Sequence, residues 1–138
     1  MKKINVITID GPSASGKGAL ARRISYSFRF NILDSGVLYR LYAYLSNMNF
    51  SVDEIANQIE RNVEFKNTKQ KLSISFKDRD ITTELRSEEV AKLASEHSSK
   101  KEVRGALLNI QRSFYDGGGL VADGRDMGTV VFKDAKLK

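Results

Sequence analysis

Gly11-Pro12-Ser13-Ala14-Ser15-Gly16-Lys17-Gly18 stands between an apolar run, Ile4 to Ile9, and a helical pattern, and it restricts the fold more than any other stretch of the chain. In the spacing G-x-x-x-x-G-K the glycines let the backbone turn and expose its N–H groups, and the lysine adds a cation, so the loop is built to cradle phosphate. A helix starting there adds its positive end. A glycine-rich turn without a ligand is the competing reading of the octapeptide alone. The flanks decide against it: Val6, Ile7 and Ile9 read as a buried parallel strand, and Leu20, Ile24 and Phe28 recur at helical spacing. Where the general motif places a Ser or Thr hydroxyl for magnesium, this chain has Gly18, followed by Ala19.

At 138 residues and 41% hydrophobic, the chain has the composition of one globular domain, with room for a small lobe. It has no cysteine and a single histidine, His97, which excludes disulfides, thiolate metal sites and a histidine zinc cluster. A cytoplasmic protein is expected. The basic start Met1-Lys2-Lys3 precedes an apolar segment that ends at Asp10, too short for a signal-peptide core, and no run approaches a membrane span. The formal charge of +6 suits either nucleic acid or small anionic substrates. Basic residues such as Arg22, Lys66, Lys69 and Lys92 are scattered, without a long basic run or interleaved aromatics, which favours the small anions. Lys100-Lys101 and the tail lysines Lys133, Lys136 and Lys138 read as surface charge.

Downstream, Asn31 to Gly36 reads as a short strand ending in a turn, and Val37, Leu38, Leu41, Tyr42 and Leu45 mark one face of a second helix. Such β-α-β-α alternation signals a parallel sheet. Ser51 with Glu54, and Ser99 with Glu102, have the spacing of capping boxes that open two further helices. Between them Val63, Phe65, Leu72, Ile74 and Phe76 alternate with polar residues ahead of an Asp78-Arg79-Asp80 turn, which predicts a small antiparallel sheet. The expected organisation is therefore a core of residues 1–59 and 87–138 with an inserted lobe at 60–86 that could close over a substrate. His97 lies on the apolar stripe of the next helix, Val90, Leu93 and Ala94, and reads as a packing residue. Gly117-Gly118-Gly119 precedes a returning core strand, Leu120-Val121-Ala122.

That strand leads into Asp123-Gly124-Arg125-Asp126-Met127-Gly128-Thr129-Val130-Val131-Phe132. Two carboxylates flanking an arginine at the carboxyl end of a strand sit where open α/β sheets bind ligands. Asp123 is also placed to assist magnesium, directly or through water. A turn held by an Asp-Arg pair is the bland alternative.

With I-T-I-D-G-P-S at residues 7–13, L-D-S-G-x-x-Y-R at 33–40 and A-D-G-R-D-M-G-T-V-V-F at 122–132, the chain closely resembles bacterial cytidylate kinases over nearly its whole length. The resemblance implies an α/β, P-loop nucleoside-monophosphate-kinase sheet with an inserted antiparallel monophosphate-binding lobe. It implies γ-phosphoryl transfer from ATP, as its magnesium complex, to CMP or dCMP, with no nucleic-acid or membrane partner and a monomer when complete. Lys17, Arg125 and Asp123 would carry the catalysis. Gly11, Pro12, Ser13, Ala14, Ser15, Gly16, Lys17, Gly18 and Ala19 would bind ATP, and no residue is assigned as a direct metal ligand. Ser35, Gly36, Tyr39, Arg40, Ser95, Arg104, Arg125 and Asp126 would bind CMP: Arg40 and Arg125 grip its phosphate, while Asp126, Arg104 and Ser95 read cytosine. Arg104 and Gln111, seven residues apart on one helix, would share a substrate-facing polar edge.

Two departures from the family follow. Position 19 usually carries Thr or Ser; Ala19 forgoes a hydrogen bond to phosphate worth about 1.5–3 kcal/mol, with Ser13 and Ser15 as nearby hydroxyls that could compensate. Beyond Phe132 the family continues with a further core strand, an arginine-bearing lid and a last helix, which this sequence lacks. Weak nucleotide binding, very low kinase activity and association through an open sheet edge are then expected. A non-catalytic nucleotide-binding remnant and a nucleic-acid-binding module are the alternatives.

Overall fold

The computed structural model describes residues 2–12, 15–68 and 71–138, so Ser13 and Ala14 of the phosphate loop, and Lys69, lie outside the described residues. Strands are β1 (Ile4–Asp10), β2 (Asn31–Asp34), β3 (Val63–Asn67), β4 (Leu72–Phe76), β5 (Arg79–Asp80), β6 (Leu120–Gly124) and β7 (Ala135–Leu137). Helices are α1 (Lys17–Phe28), α2 (Ser35–Ser46), α3 (Val52–Asn62), α4 (Thr82–Leu85), α5 (Glu88–Ser98) and α6 (Lys101–Ser113). The chain divides into two compact units: Met1–Ser35, Asn67–Lys71 and Gln111–Lys138 in the first, Gly36–Lys66 and Leu72–Ile110 in the second.

The first unit is built on a four-stranded parallel sheet in the order β2-β6-β1-β7. β6 is flanked on both sides, Leu120 aligning with Val6 on β1 and with Asn31 on β2, and all five of its residues are buried. A continuous apolar run is what a doubly covered parallel strand requires. α1 packs against β6 through Ala21 and Ser25, its buried residues. The helical spacing of Leu20, Ile24 and Phe28 marks the helix correctly but not its buried face: Leu20 is 51% and Phe28 61% exposed. Only small side chains fit between this helix and the strand. Ser25 Oγ donates to the Phe30 carbonyl at 2.6 Å and accepts from Asn67 Nδ2 at 2.9 Å, within the first unit.

β2 runs straight into α2 at Ser35, without the intervening turn expected at Ser35-Gly36. The end of the chain also differs from expectation. Ala135–Leu137 form a short parallel strand on β1, where no strand was expected after Phe132. The Ile4 N–H donates to the Asp134 carbonyl at 2.9 Å. A three-residue strand with only Ala135 buried leaves no periodicity to read. Lys133, Lys136 and Lys138 are exposed, as a solvated tail would be.

In the second unit α3 opens on a complete capping box: the Glu54 N–H donates to Ser51 Oγ at 3.3 Å, and the Ser51 N–H donates to Glu54 Oε1 at 3.0 Å. These bonds also hold the Glu54 carboxyl below its ordinary range. The second box is not formed. Ser99 instead caps the end of α5, its hydroxyl donating to the Glu96 carbonyl at 2.8 Å, and α6 starts one residue later, with the Arg104 N–H bonded to the Lys100 carbonyl.

The antiparallel sheet has the order β3-β4-β5. Phe76 pairs with Arg79, so the tight turn is Lys77-Asp78, one residue earlier than the expected Asp78 to Asp80. Both turn residues have positive φ, 50° and 66°, which suits the twist of a two-residue hairpin. His97 packs edge-on against Tyr42, ring centroids 5.3 Å apart, as a packing residue does. Among the described residues no helix is long and apolar enough to cross a membrane.

Candidate functional site

β1 delivers the phosphate loop. Gly16 adopts the left-handed conformation, φ 86° and ψ 0°, that glycine tolerates at least cost, and from it α1 begins with no side-chain cap and no acidic residue in its first turn. The helix therefore presents its positive end without a competing side chain. Ser15 Oγ donates to the Pro12 carbonyl at 2.8 Å, holding the described part of the loop closed.

Lys17 turns toward the end of β6, where its Nζ lies 2.9 Å from Asp123 Oδ1. The Asp123 side chain is 3% exposed and that of Lys17 is 22% exposed. The buried Asp123 carboxylate thus has the Lys17 ammonium, at the margin of solvent, as its charge partner. Gly124 follows Asp123 in the strand and is forced by packing: a Cβ there would lie 2.6 Å from Ser35 Cβ. Ser35, buried at the start of α2, is thereby brought against the end of β6.

Past Gly124 the chain leaves the sheet. Arg125 and Asp126 are exposed, and Asp126 has left-handed φ and ψ of 59° and 25°. A single π-helical turn, Met127–Val131, follows: the Val131 N–H donates to the Asp126 carbonyl at 3.1 Å, and that of Phe132 to the Met127 carbonyl at 2.7 Å. π-Turns of this kind concentrate at functional sites. Both ends are held by side chains. The N–H groups of Met127 and Gly128 donate to Asp10 Oδ1 and Oδ2 at 2.7 and 3.0 Å. At the other end Arg112 donates from Nε to the Val131 carbonyl and from Nη2 to the Val130 carbonyl, each at 3.3 Å.

The first unit thus gathers Lys17, Asp123, Ser35, Arg125 and Asp126 at the carboxyl ends of β1, β2 and β6, where an open parallel sheet binds its ligands. The other predicted acceptor residues fall in the second unit: Gly36, Tyr39 and Arg40 in the first turns of α2, Ser95 on the exposed side of α5, and Arg104 on α6. Burial raises the Tyr39 hydroxyl above its ordinary value, and the Arg104 charge partly opposes the rise. The two side chains therefore share one electrostatic neighbourhood. Arg104 Nη1 also donates to the Ser98 and Ser99 carbonyls at 3.2 and 2.9 Å, at the negative end of α5. Gln111 is 4% exposed whereas Arg104 is exposed, so they do not form the single substrate-facing edge their spacing suggested.

Sequence reading passed over Asp10 and Gly124. An ionisable residue closing an apolar strand directly before a phosphate loop was the available signal for Asp10. Nothing local marks the contact of Gly124 with Ser35. Among the described residues no group of three or more carboxylates or histidines converges on a position for a metal ion. At this sheet edge Asp123 is a buried carboxylate, 2% exposed.

Residues 7–138 match the family model described as cytidylate kinase. Among curated relatives, the cytidylate kinase of Citrobacter koseri is 43% identical over 141 residues, covering 96% of this chain and 61% of its own length. That of Coxiella burnetii is 44% identical over 144 residues, covering 99% of this chain and 61% of its own length. The chain thus spans 61% of the length of these relatives. With the phosphate loop and the 122–132 segment both inside the matched residues, this chain belongs to the cytidylate kinase family.

Proposed function

We propose that the protein transfers the γ-phosphoryl group of ATP to CMP or dCMP. The reading is carried by one arrangement: the Lys17–Asp123 pair and the Arg125-Asp126 turn leave the same sheet edge within a few residues of each other. In the reaction an oxygen of the acceptor phosphate attacks the γ-phosphorus. A new phosphorus–oxygen bond forms as the bond from the γ-phosphorus to the β,γ-bridging oxygen breaks, so ADP leaves and CDP or dCDP forms. The acceptor phosphate is already ionised at neutral pH, so no general base is required. Catalysis is then positioning and charge neutralisation.

Lys17 exchanges part of its contact with Asp123 for the β and γ oxygens, while the uncapped start of α1 meets the same phosphates. Asp123 is the carboxylate that would face a magnesium ion carried on ATP, which would help to neutralise the phosphate charge. Arg125 and Arg40 supply the guanidinium forks for the acceptor phosphate. Asp126 accepts from the exocyclic amino group of cytosine, with Arg104 and Ser95 answering the ring acceptors. Uracil would leave these groups mismatched. The lobe containing the β3-β4-β5 sheet is the acceptor-binding region in this reading.

A coupled assay of ADP release with CMP, UMP and AMP as acceptors tests the proposal, run with the chain alone and with the remaining segment of a relative supplied. Turnover with CMP that Lys17→Ala lowers about 100-fold or more is expected. CMP-independent ATP loss would show transfer to water instead of to CMP, and no turnover under either condition would leave nucleotide binding without phosphotransfer as the function.

A further inference from the structure

The Asp10 carboxylate stands at the end of β1, one residue before the phosphate loop, yet both of its oxygens face away from that loop's role. Oδ1 accepts from the Met127 N–H at 2.7 Å and Oδ2 from the Gly128 N–H at 3.0 Å. An anion beside a site for polyphosphate is electrostatically unfavourable, so its presence there requires a compensating use. The two amides it holds open the π-helical turn directly after Asp126, a non-glycine residue in the left-handed region. Such a conformation is less favourable than the right-handed one even for Asp, and here its surroundings hold it. Asp10 supplies that enforcement from one side, and Arg112 on the Val130 and Val131 carbonyls supplies it from the other. Negative charge at the amide end and positive charge at the carbonyl end both match the dipole of the turn.

We infer that Asp10 is a positioning residue for acceptor binding: without touching nucleotide, it fixes the turn that presents Arg125 and Asp126. This rests on the reading of Arg125 and Asp126 as acceptor ligands. The same residue registers that turn against the donor loop, since Gly11, its neighbour, donates its N–H to the Gly124 carbonyl at 3.4 Å. The two phosphate-binding segments therefore hang from adjacent positions on β1. Asp10 holds the Met127 and Gly128 amides and no described group of the phosphate loop, so the effect is expected at the acceptor.

The test uses the full chain and measures binding of CMP and of MgATP separately, by titration with NMR detection that reads weak affinities. Asp10→Ala is expected to weaken CMP about 10-fold or more and to leave MgATP within about twofold. Asp10→Asn, with one amide oxygen for two N–H donors, is expected to lie between them. Exchange protection of the Met127 and Gly128 amides should fall in both variants. Where Asp10→Ala unfolds, Asp10→Asn carries the comparison. In a chain that already carries Arg125→Ala and Asp126→Ala together, adding Asp10→Ala should weaken CMP by no more than about twofold further, because Asp10 acts through those two residues. Equal weakening of both nucleotides, or additive losses, would show a general structural role and overturn the inference. An Arg125→Ala chain that binds CMP normally, or a wild-type chain without any CMP response, would instead overturn the acceptor reading on which it rests.

Discussion

Ala19 occupies an exposed position in the first turn of α1, two residues beyond Lys17, where a hydroxyl would face whatever the uncapped helix end binds. Ala19→Thr adds that hydroxyl at a site with room for it. MgATP affinity is expected to tighten about 10-fold, the lower end of what a hydrogen bond to a charged group contributes, as read by calorimetric titration. Unchanged affinity would show that the loop does not present phosphate at that turn. At this scale the sequence was informative about identity and silent about partnership. Lys17 and Asp123 could each be singled out from their motifs, but their 2.9 Å contact depends on β1 and β6 lying side by side, which no local pattern encodes.

Elements were legible where one side chain decides them and obscure where packing does. The Ser51–Glu54 box formed because both reciprocal bonds are local to the first turn of α3. Ser99 with Glu102 had the same spacing, but the α5–α6 connection is so short that Ser99 belongs to the helix before it. The stripe on α1 failed for another reason: apolarity does not select the buried face when the neighbouring strand admits only Ala21 and Ser25. The junction of β6 with the start of α2 is decided by size in the same way. Gly124→Ala would drive a methyl group against Ser35 Cβ, and a loss of about 1–3 kcal/mol is expected in urea denaturation, with CMP binding weakened as Ser35 shifts. Unaltered stability would mean that α2 can retreat from the strand freely.

For the whole chain, the α/β class and the antiparallel insert were readable from the change of hydrophobic period, while the extent of the compact units and the pairing of β7 were not. A global property follows from the single histidine. Burial first, and the Lys100 charge second, hold the His97 imidazole below its ordinary value of 6.5, with Glu96 pulling weakly the other way. The folded protein thus takes up this proton less readily than the unfolded chain. Its contribution to stability is fully present above pH 6.5 and is lost as pH falls through the lower folded value. The melting temperature should therefore drop as pH falls below 6.5, and His97→Gln should flatten that part of the profile. An identical pH profile in the variant would assign the drop to carboxylates instead.

The strand order β2-β6-β1-β7 bears on synthesis at the ribosome. β1 and β2 leave the tunnel early, yet neither touches the other, because the strand that separates them begins only at Leu120. Until that late segment emerges, the early strands have no hydrogen-bonding neighbour in this sheet, and their apolar faces must wait through most of translation. Such long-range closure is slow and exposes sticky edges. The nascent chain is therefore expected to gain from chaperones that shield extended apolar segments.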